Sequence, residues 1–145
     1  MTGINSIIVG VDGSDQSRAA LEWAYGEAAH HGASLTVLMA WNAPVLPHQP
    51  PYGSLPPEGY DTQPANDAMA MLEKAISELE VREPTVQIQT SIEQGSPAKV
   101  LIERSKGTDL IVVGSRGRDG FVGMLLGSVS QHVIAHAHCP VTVVR

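Results

Sequence analysis

A chain of 145 residues, 43% of them apolar, is long enough to bury the core of one small domain. The formal net charge is -6 and the nine basic residues are scattered, which excludes the basic stripe that a nucleic-acid partner requires. No apolar run reaches the roughly 18 residues that span a bilayer, and the first residues lack the pattern of a secretory leader, so a soluble cytoplasmic protein with no membrane partner is expected.

Residues 6–11, SIIVGV, form a short, β-branched and apolar run, as in a parallel strand covered on both faces. A helix follows, with Asp15 as its cap and Ala19, Ala20, Trp23, Ala24, Glu27 and Ala28 at helical spacing before Gly32 stops it. Residues 34–41, SLTVLMAW, repeat the strand signal. Seven of the ten prolines then fall between Pro44 and Pro64, where neither helix nor strand propagates easily, so a long surface loop is predicted. Helical spacing returns over residues 66–81, with Ala68, Met71, Leu72, Ala75, Ile76 and Leu79 on one side. Residues 85–92 alternate apolar with polar, the pattern of a strand at a sheet edge. Pro97 opens a helix running to about Lys106, and residues 109–114, DLIVVG, make another strongly apolar strand. A glycine-rich loop, a helix over about residues 127–137 and a last strand over residues 141–145 complete the chain. Cys139, the only cysteine, has no disulfide partner within the chain and reads as a buried thiol beside that strand.

Strictly alternating strands and helices call for a single α/β domain over residues 1–145, with a mostly parallel sheet and helices on both faces. In such sheets ligands bind beyond the carboxyl ends of the strands, where the winding reverses. Two strand ends carry suitable chemistry. After the first strand, Gly10, Val11, Asp12, Gly13 and Ser14 combine a carboxylate with mobile backbone; Asp12 can accept from a ribose hydroxyl, sit near a metal, or simply cap the next helix. After the fourth, Gly114, Ser115, Arg116, Gly117, Arg118, Asp119 and Gly120 lead towards Gly127, Ser128, Val129 and Ser130. Glycines let backbone N–H groups approach an anion closely, and Gly127 and Ser128 open a helix whose positive end favours phosphate. The hydroxyls of Ser128 and Ser130 add donors, or else merely cap that helix. A loop of about a dozen residues is long for a plain connection, which favours a functional role. Neither G-x-x-x-x-G-K-[ST] nor a G-x-G-x-x-G directly after the first strand is present, so two common phosphate-binding schemes are set aside.

From residue 114 to residue 128 the sequence resembles the universal stress protein family. Its ATP-binding members carry G, two residues, G, nine residues, then G followed by S or T, and Gly114, Gly117, Gly127 and Ser128 meet every spacing. The likeness extends to IIVGVDGS with Ser17, to LTVLMAW, to DLIVVGSRGR and to the tail HAHCPVTVVR. It implies a flavodoxin-like (Rossmann-like) sandwich of five strands in the order 3-2-1-4-5, which brings the ends of the first and fourth strands into one crevice. It also implies roles: Gly10, Val11 and Asp12 border base and ribose, and Ala40 meets adenine through its backbone. Gly114, Ser115, Arg116 and Gly117 wrap ribose and phosphates, while Gly127, Ser128, Val129 and Ser130 hold the β- and γ-phosphates of ATP, with Mg²⁺ alongside. Arg116 and Arg118 either help to neutralise the triphosphate or remain solvated. Asp119 departs from the small residue common in similar sequences, and its carboxylate repels a triphosphate unless a cation intervenes. Mycobacterial-type members of the family are known for cyclic AMP, which keeps that ligand open. In the family the last strand pairs across a two-fold axis, implying a homodimer through Val141 to Val144.

Hydrolysis needs a positioned water, a base or orienting group, and stabilisation of charge at the γ-phosphate, and the loop supplies only the last. A nucleotide-dependent sensor or regulator of the stress response, with no catalytic residue and at most slow ATP hydrolysis, is therefore expected. Two other classes stay in view. His132 and His136 share a helical face near His138 and Cys139, but lack the intervening acid of H-E-x-x-H and fit a solvated helix end. The proline-rich loop with Tyr52 and Tyr60 could recruit a partner independently of nucleotide, or serve only as a connector.

Overall fold

The computed structural model describes residues 3–42, 63–80, 86–117 and 125–145. Within them the order is β1 (Ser6–Gly10), α1 (Asp15–His31), β2 (Ser34–Trp41), α2 (Gln63–Ser77), β3 (Ile88–Gln94), α3 (Pro97–Arg104), β4 (Leu110–Gly114), α4 (Ser128–His136) and β5 (Val141–Val144). A 3-10 turn, Ser105–Gly107, extends α3. The proline-rich stretch over residues 43–62, with Tyr52 and Tyr60, lies outside the described residues, as do Val81, Thr85, Arg118 and Asp119.

The strands form one sheet in the order β3-β2-β1-β4-β5, every pair parallel. Strand β1 is central because its apolar run suits cover on both faces: Ile7, Ile8 and Val9 are all buried. Ile7 stands opposite Leu35 on one side and Leu110 on the other, so the three inner strands share one apolar band. The alternating strand does lie at an edge, as β3, although it begins and ends later than the sequence pattern indicates.

Pleating divides the apolar residues between two layers. Towards α1 and α2 pack Ile7, Val9, Leu21, Leu35, Val37, Leu72 and Val112. Towards α3 and α4 pack Ile8, Leu38, Leu101, Ile111, Val113 and Val133. Full burial of such side chains stabilises by about 1.5–3 kcal/mol each, so the first layer carries the larger share.

Helix α1 differs from expectation at two points. Its cap is Ser14, whose Oγ accepts from the Ser17 N–H at 3.2 Å; Asp15 is the first helical residue. Both residue types cap well, but only Ser14 has the extended backbone that a cap needs. The buried stripe is Ser17, Ala20, Leu21, Ala24, Tyr25 and Ala28, while Trp23 is 38% exposed. With so many alanines, two adjoining faces have nearly equal apolar character, and the larger Leu21 and Tyr25 decide which turns inward. Gly32 ends the helix as expected, in the left-handed conformation with its N–H on Ala28 O.

Helix α2 starts earlier than predicted, at Gln63, yet presents the expected side: Ala68 and Leu72 are buried, with Met71, Ala75, Ile76 and Leu79 packed beside them. Cys139 is partly rather than fully buried; burial pushes its thiol pKa up, and Sγ lies 3.4 Å from Pro140 O.

Candidate functional site

The winding reverses at β1, which sends β2 to one side and β4 to the other. At the carboxyl ends of these strands a cavity of about 580 Å³ opens, within the range of small-molecule sites. Gly10, Val11 and Asp12 from the end of β1, Ala40 from β2, and Gly114, Arg116 and Gly117 from the end of β4 all line it. So do Gly127, Ser128, Val129 and Ser130 at the start of α4. The two strand ends singled out in the sequence therefore meet in one place.

Asp12 is held by the turn it helps to form. Its Oδ1 accepts from the Ser14 N–H at 2.9 Å, and its own N–H donates to Ser17 Oγ at 3.3 Å. The turn-forming role and the place in the cleft thus belong to one residue. A β-carbon built on Gly117 would lie 2.8 Å from Asp12 Oδ2, so any other residue there pushes the carboxylate aside.

Ser115 and Ser130 behave differently from expectation. Ser115 is buried and does not reach the cavity wall; its Oγ donates to Gln16 Oε1 at 2.7 Å. Its N–H donates to Val144 O at 2.8 Å, and its carbonyl accepts from the Gly127 N–H at 2.6 Å. Ser130 lines the cavity, but its hydroxyl lies 3.0 Å from the carbonyls of both Ser115 and Gly127 and shares its single proton between them. Both hydroxyls hold the loop rather than point at a ligand. The N-cap of α4 is Gly127, with no side-chain cap, and the first turn of the helix faces the cavity.

No motif points to the apolar wall. Met39 and Trp41 from β2, Ala68 and Met71 from α2, and Pro97 and Leu101 from α3 also line the cleft, as does Asp67. Helical spacing identified Ala68 and Met71 only as core residues. They are both, because the core-facing side of α2 runs on into the cleft.

As for a divalent cation, no group of three His, Cys, Asp or Glu side chains among the described residues is placed to hold one. His132 and His136 lie side by side with ring centroids 5.7 Å apart, a pair on the exposed side of α4. The donor set in the cleft suits Mg²⁺ only in its usual manner, by one or two carboxylates plus oxygens brought by phosphate and water.

A profile of the Universal stress protein family matches residues 3–145. The chain belongs to the universal stress protein family. A universal stress protein of Mycolicibacterium smegmatis is 37% identical over 140 residues, covering 96% of this chain and 45% of the relative. One of Mycobacterium tuberculosis is 38% identical over 141 residues, covering 96% and 44%. The chain thus spans less than half the length of these relatives. Among solved structures, universal stress protein UspA from Lactobacillus plantarum superposes with a TM-score of 0.76 at 28% identity, covering 100% of both chains. A universal stress protein in complex with cAMP matches with a TM-score of 0.62 at 26% identity, covering 99% of this chain and 98% of that one. This universal stress protein therefore has the flavodoxin-like fold that the sequence resemblance implied.

Proposed function

We propose that this universal stress protein binds an adenine nucleotide, ATP in the first place, in the cleft between the ends of β1 and β4, and acts as a nucleotide-dependent regulator in the stress response. The carrying observation is that both glycine-bearing strand ends and the first turn of α4 open into one cavity of about 580 Å³. The apolar side, with Met39, Met71 and Leu101, suits a base; the Ala40 backbone is available to its edge, and Asp12 is placed for a ribose hydroxyl. Gly117, Ser128 and Val129 offer N–H groups and the start of α4 its helix dipole to phosphates, and Arg116 adds a cation. Mg²⁺, when bound with the nucleotide, would offset phosphate charge beside Asp12. The structural relative solved with cAMP supports the class of ligand and makes cyclic AMP the second reading.

Hydrolysis at an enzyme's pace is not expected. Glu93 is engaged with Arg104 at 2.7 Å, and Asp109 lies at the amino end of β4, away from the cleft. A turnover above about 1 s⁻¹ would contradict a purely regulatory role. Strand β5 is a sheet edge whose Val141, Thr142, Val143 and Val144 are half-buried, which supports a homodimer formed through that edge; a monodisperse monomer at micromolar concentration would oppose it.

Thermal unfolding with ATP and Mg²⁺, with cyclic AMP and without ligand tests the site. A ligand at 100 times its dissociation constant stabilises by about 2.7 kcal/mol, a rise of several degrees in Tm. Gly117→Val, whose side chain would invade the space beside Asp12, should abolish the rise. A larger rise with cyclic AMP reassigns the ligand, and no rise with either favours a nucleotide-independent interaction module.

A further inference from the structure

The residue that ties the ligand loop to the rest of the molecule is one that no motif contains. Gln16 is the second residue of α1, and its Oε1 accepts from Ser115 Oγ at 2.7 Å and from the Arg116 N–H at 2.7 Å. We infer that Gln16 is a positioning residue for the nucleotide loop, and that Gly114, the first glycine of the motif, is required there to admit it.

The geometry of one peptide unit carries this. A trans peptide is planar, with its N–H and C=O on opposite sides. In the unit joining Ser115 to Arg116, the N–H is taken by Gln16 of α1, while the carbonyl accepts from Gly127 N at 2.6 Å and Ser130 Oγ at 3.0 Å at the start of α4. A single rigid plane therefore spans the gap between the first turns of two helices. Rotating it would break the bonds on both sides together. The next residue is Gly117, which the fixed plane delivers beside Asp12. The orientation of the N–H groups that face phosphate is thus set by a side chain that lies outside the lining of the cavity.

Gly114 contributes through the same residue. A β-carbon there would stand 3.0 Å from both the carbonyl carbon and the carbonyl oxygen of Gln16, and 3.3 Å from its Cβ. These are mainly backbone atoms of a helix, which cannot turn aside as a side-chain tip can. Any larger residue at 114 requires the start of α1 to give way, which strains the two bonds to Gln16 Oε1.

Since the role rests on nucleotide occupancy of the cleft, its test has two separable arms. Gln16→Met keeps the length and packing of the side chain without the acceptor, and Gln16→Glu keeps an acceptor for both bonds. In the first arm, amide hydrogen exchange is measured on the protein without ligand. Exchange at Arg116 should quicken about tenfold or more in Gln16→Met and return to the wild-type rate in Gln16→Glu. In the second, calorimetry compares ATP with adenosine. Gln16→Met should raise the ATP Kd about tenfold and the adenosine Kd by much less, because adenosine keeps its base contacts outside the loop and has no phosphates for the loop to hold. At high salt, where its added charge is screened, Gln16→Glu should recover ATP affinity. Loss of general stability would weaken both ligands alike, so equal losses, or an unchanged ATP Kd, overturn the proposal. If the wild-type protein binds no adenine nucleotide, the functional reading fails by itself, and unchanged Arg116 exchange in Gln16→Met still refutes the positioning role. Ser115→Ala removes one of the two donors; it serves as a second variant should Gln16→Met not fold, and should move both readouts the same way by less.

Discussion

The amino ends of β1 and β4 are joined by side chains, whereas their carboxyl ends are left open by glycine. At the closed end, Asp109 Oδ2 accepts from the Asn5 N–H at 2.9 Å and the Ser6 N–H at 3.0 Å, and Thr108 Oγ1 donates to Ser6 O at 3.1 Å. At the open end Gly10 and Gly114 bear no side chains, and the cleft begins between them. Register between the central strands is thus reinforced by side chains at the end away from the cleft, which leaves the other end open.

The two glycines of the open end are themselves unequal. A β-carbon at Gly10 would meet the Leu101 side-chain tip at 3.0 Å, but one at Gly114 would meet the Gln16 backbone at the same distance. A leucine tip can change rotamer; a helix start must move as a whole. Gly114→Ala should therefore have the largest effect, a loss of about 2 kcal/mol seen as a lower denaturant midpoint at unchanged m. Gly10→Ala should cost less than about 1 kcal/mol, since the entropic gain of replacing a strand glycine offsets part of the strain. Equal costs would break the distinction between the two strand ends.

Asp109→Asn probes the closed end and should have the smallest effect. Backbone hydrogen bonding from Asn5 lowers the Asp109 pKa from its ordinary value; burial opposes this, and the backbone and side-chain bonds from Ser6 add to the fall. A lowered folded pKa stabilises the protein above the unfolded value, about 3.9, and that contribution disappears as pH falls through the folded value. The variant should therefore unfold slightly more readily than wild type at pH 7, and the difference should shrink to nothing in acid. A difference that grew as pH fell would show that Asp109 does not act through its charged form.

Those aspects of the fold that depend on composition over several residues were legible in the sequence. Continuous apolar runs marked β1 and β4 as inner strands, alternation marked β3 as an edge, and the bounds of β2 matched residue for residue. The order of strands came with the family resemblance, since periodicity alone does not choose among parallel arrangements. What escaped depended on single directions in space. Ser14 and Asp15 both make good caps, and a rotation of one residue separated the expected stripe of α1 from the one that holds Leu21 and Tyr25. The hydroxyl of Ser130 reads from sequence as a donor for a ligand or a helix cap, but it bonds the carbonyls of Ser115 and Gly127. Gln16 left no signal, because a glutamine in the first turn of a helix is ordinarily solvated. Arg118 lies outside the described residues.

The crowding of Gly114 by α1 bears on how such a glycine signature is used to sort proteins. The first glycine answers to the docking of a helix, a demand that persists whatever fills the cleft. A chain that had abandoned nucleotide but kept α1 seated on β4 would still display it. Gly117 is different, because its neighbour is the Asp12 carboxylate at the rim of the cavity. As a diagnostic of ligand binding, the second glycine is therefore worth more than the first, and weighting the two alike would misclassify chains that retain the fold alone.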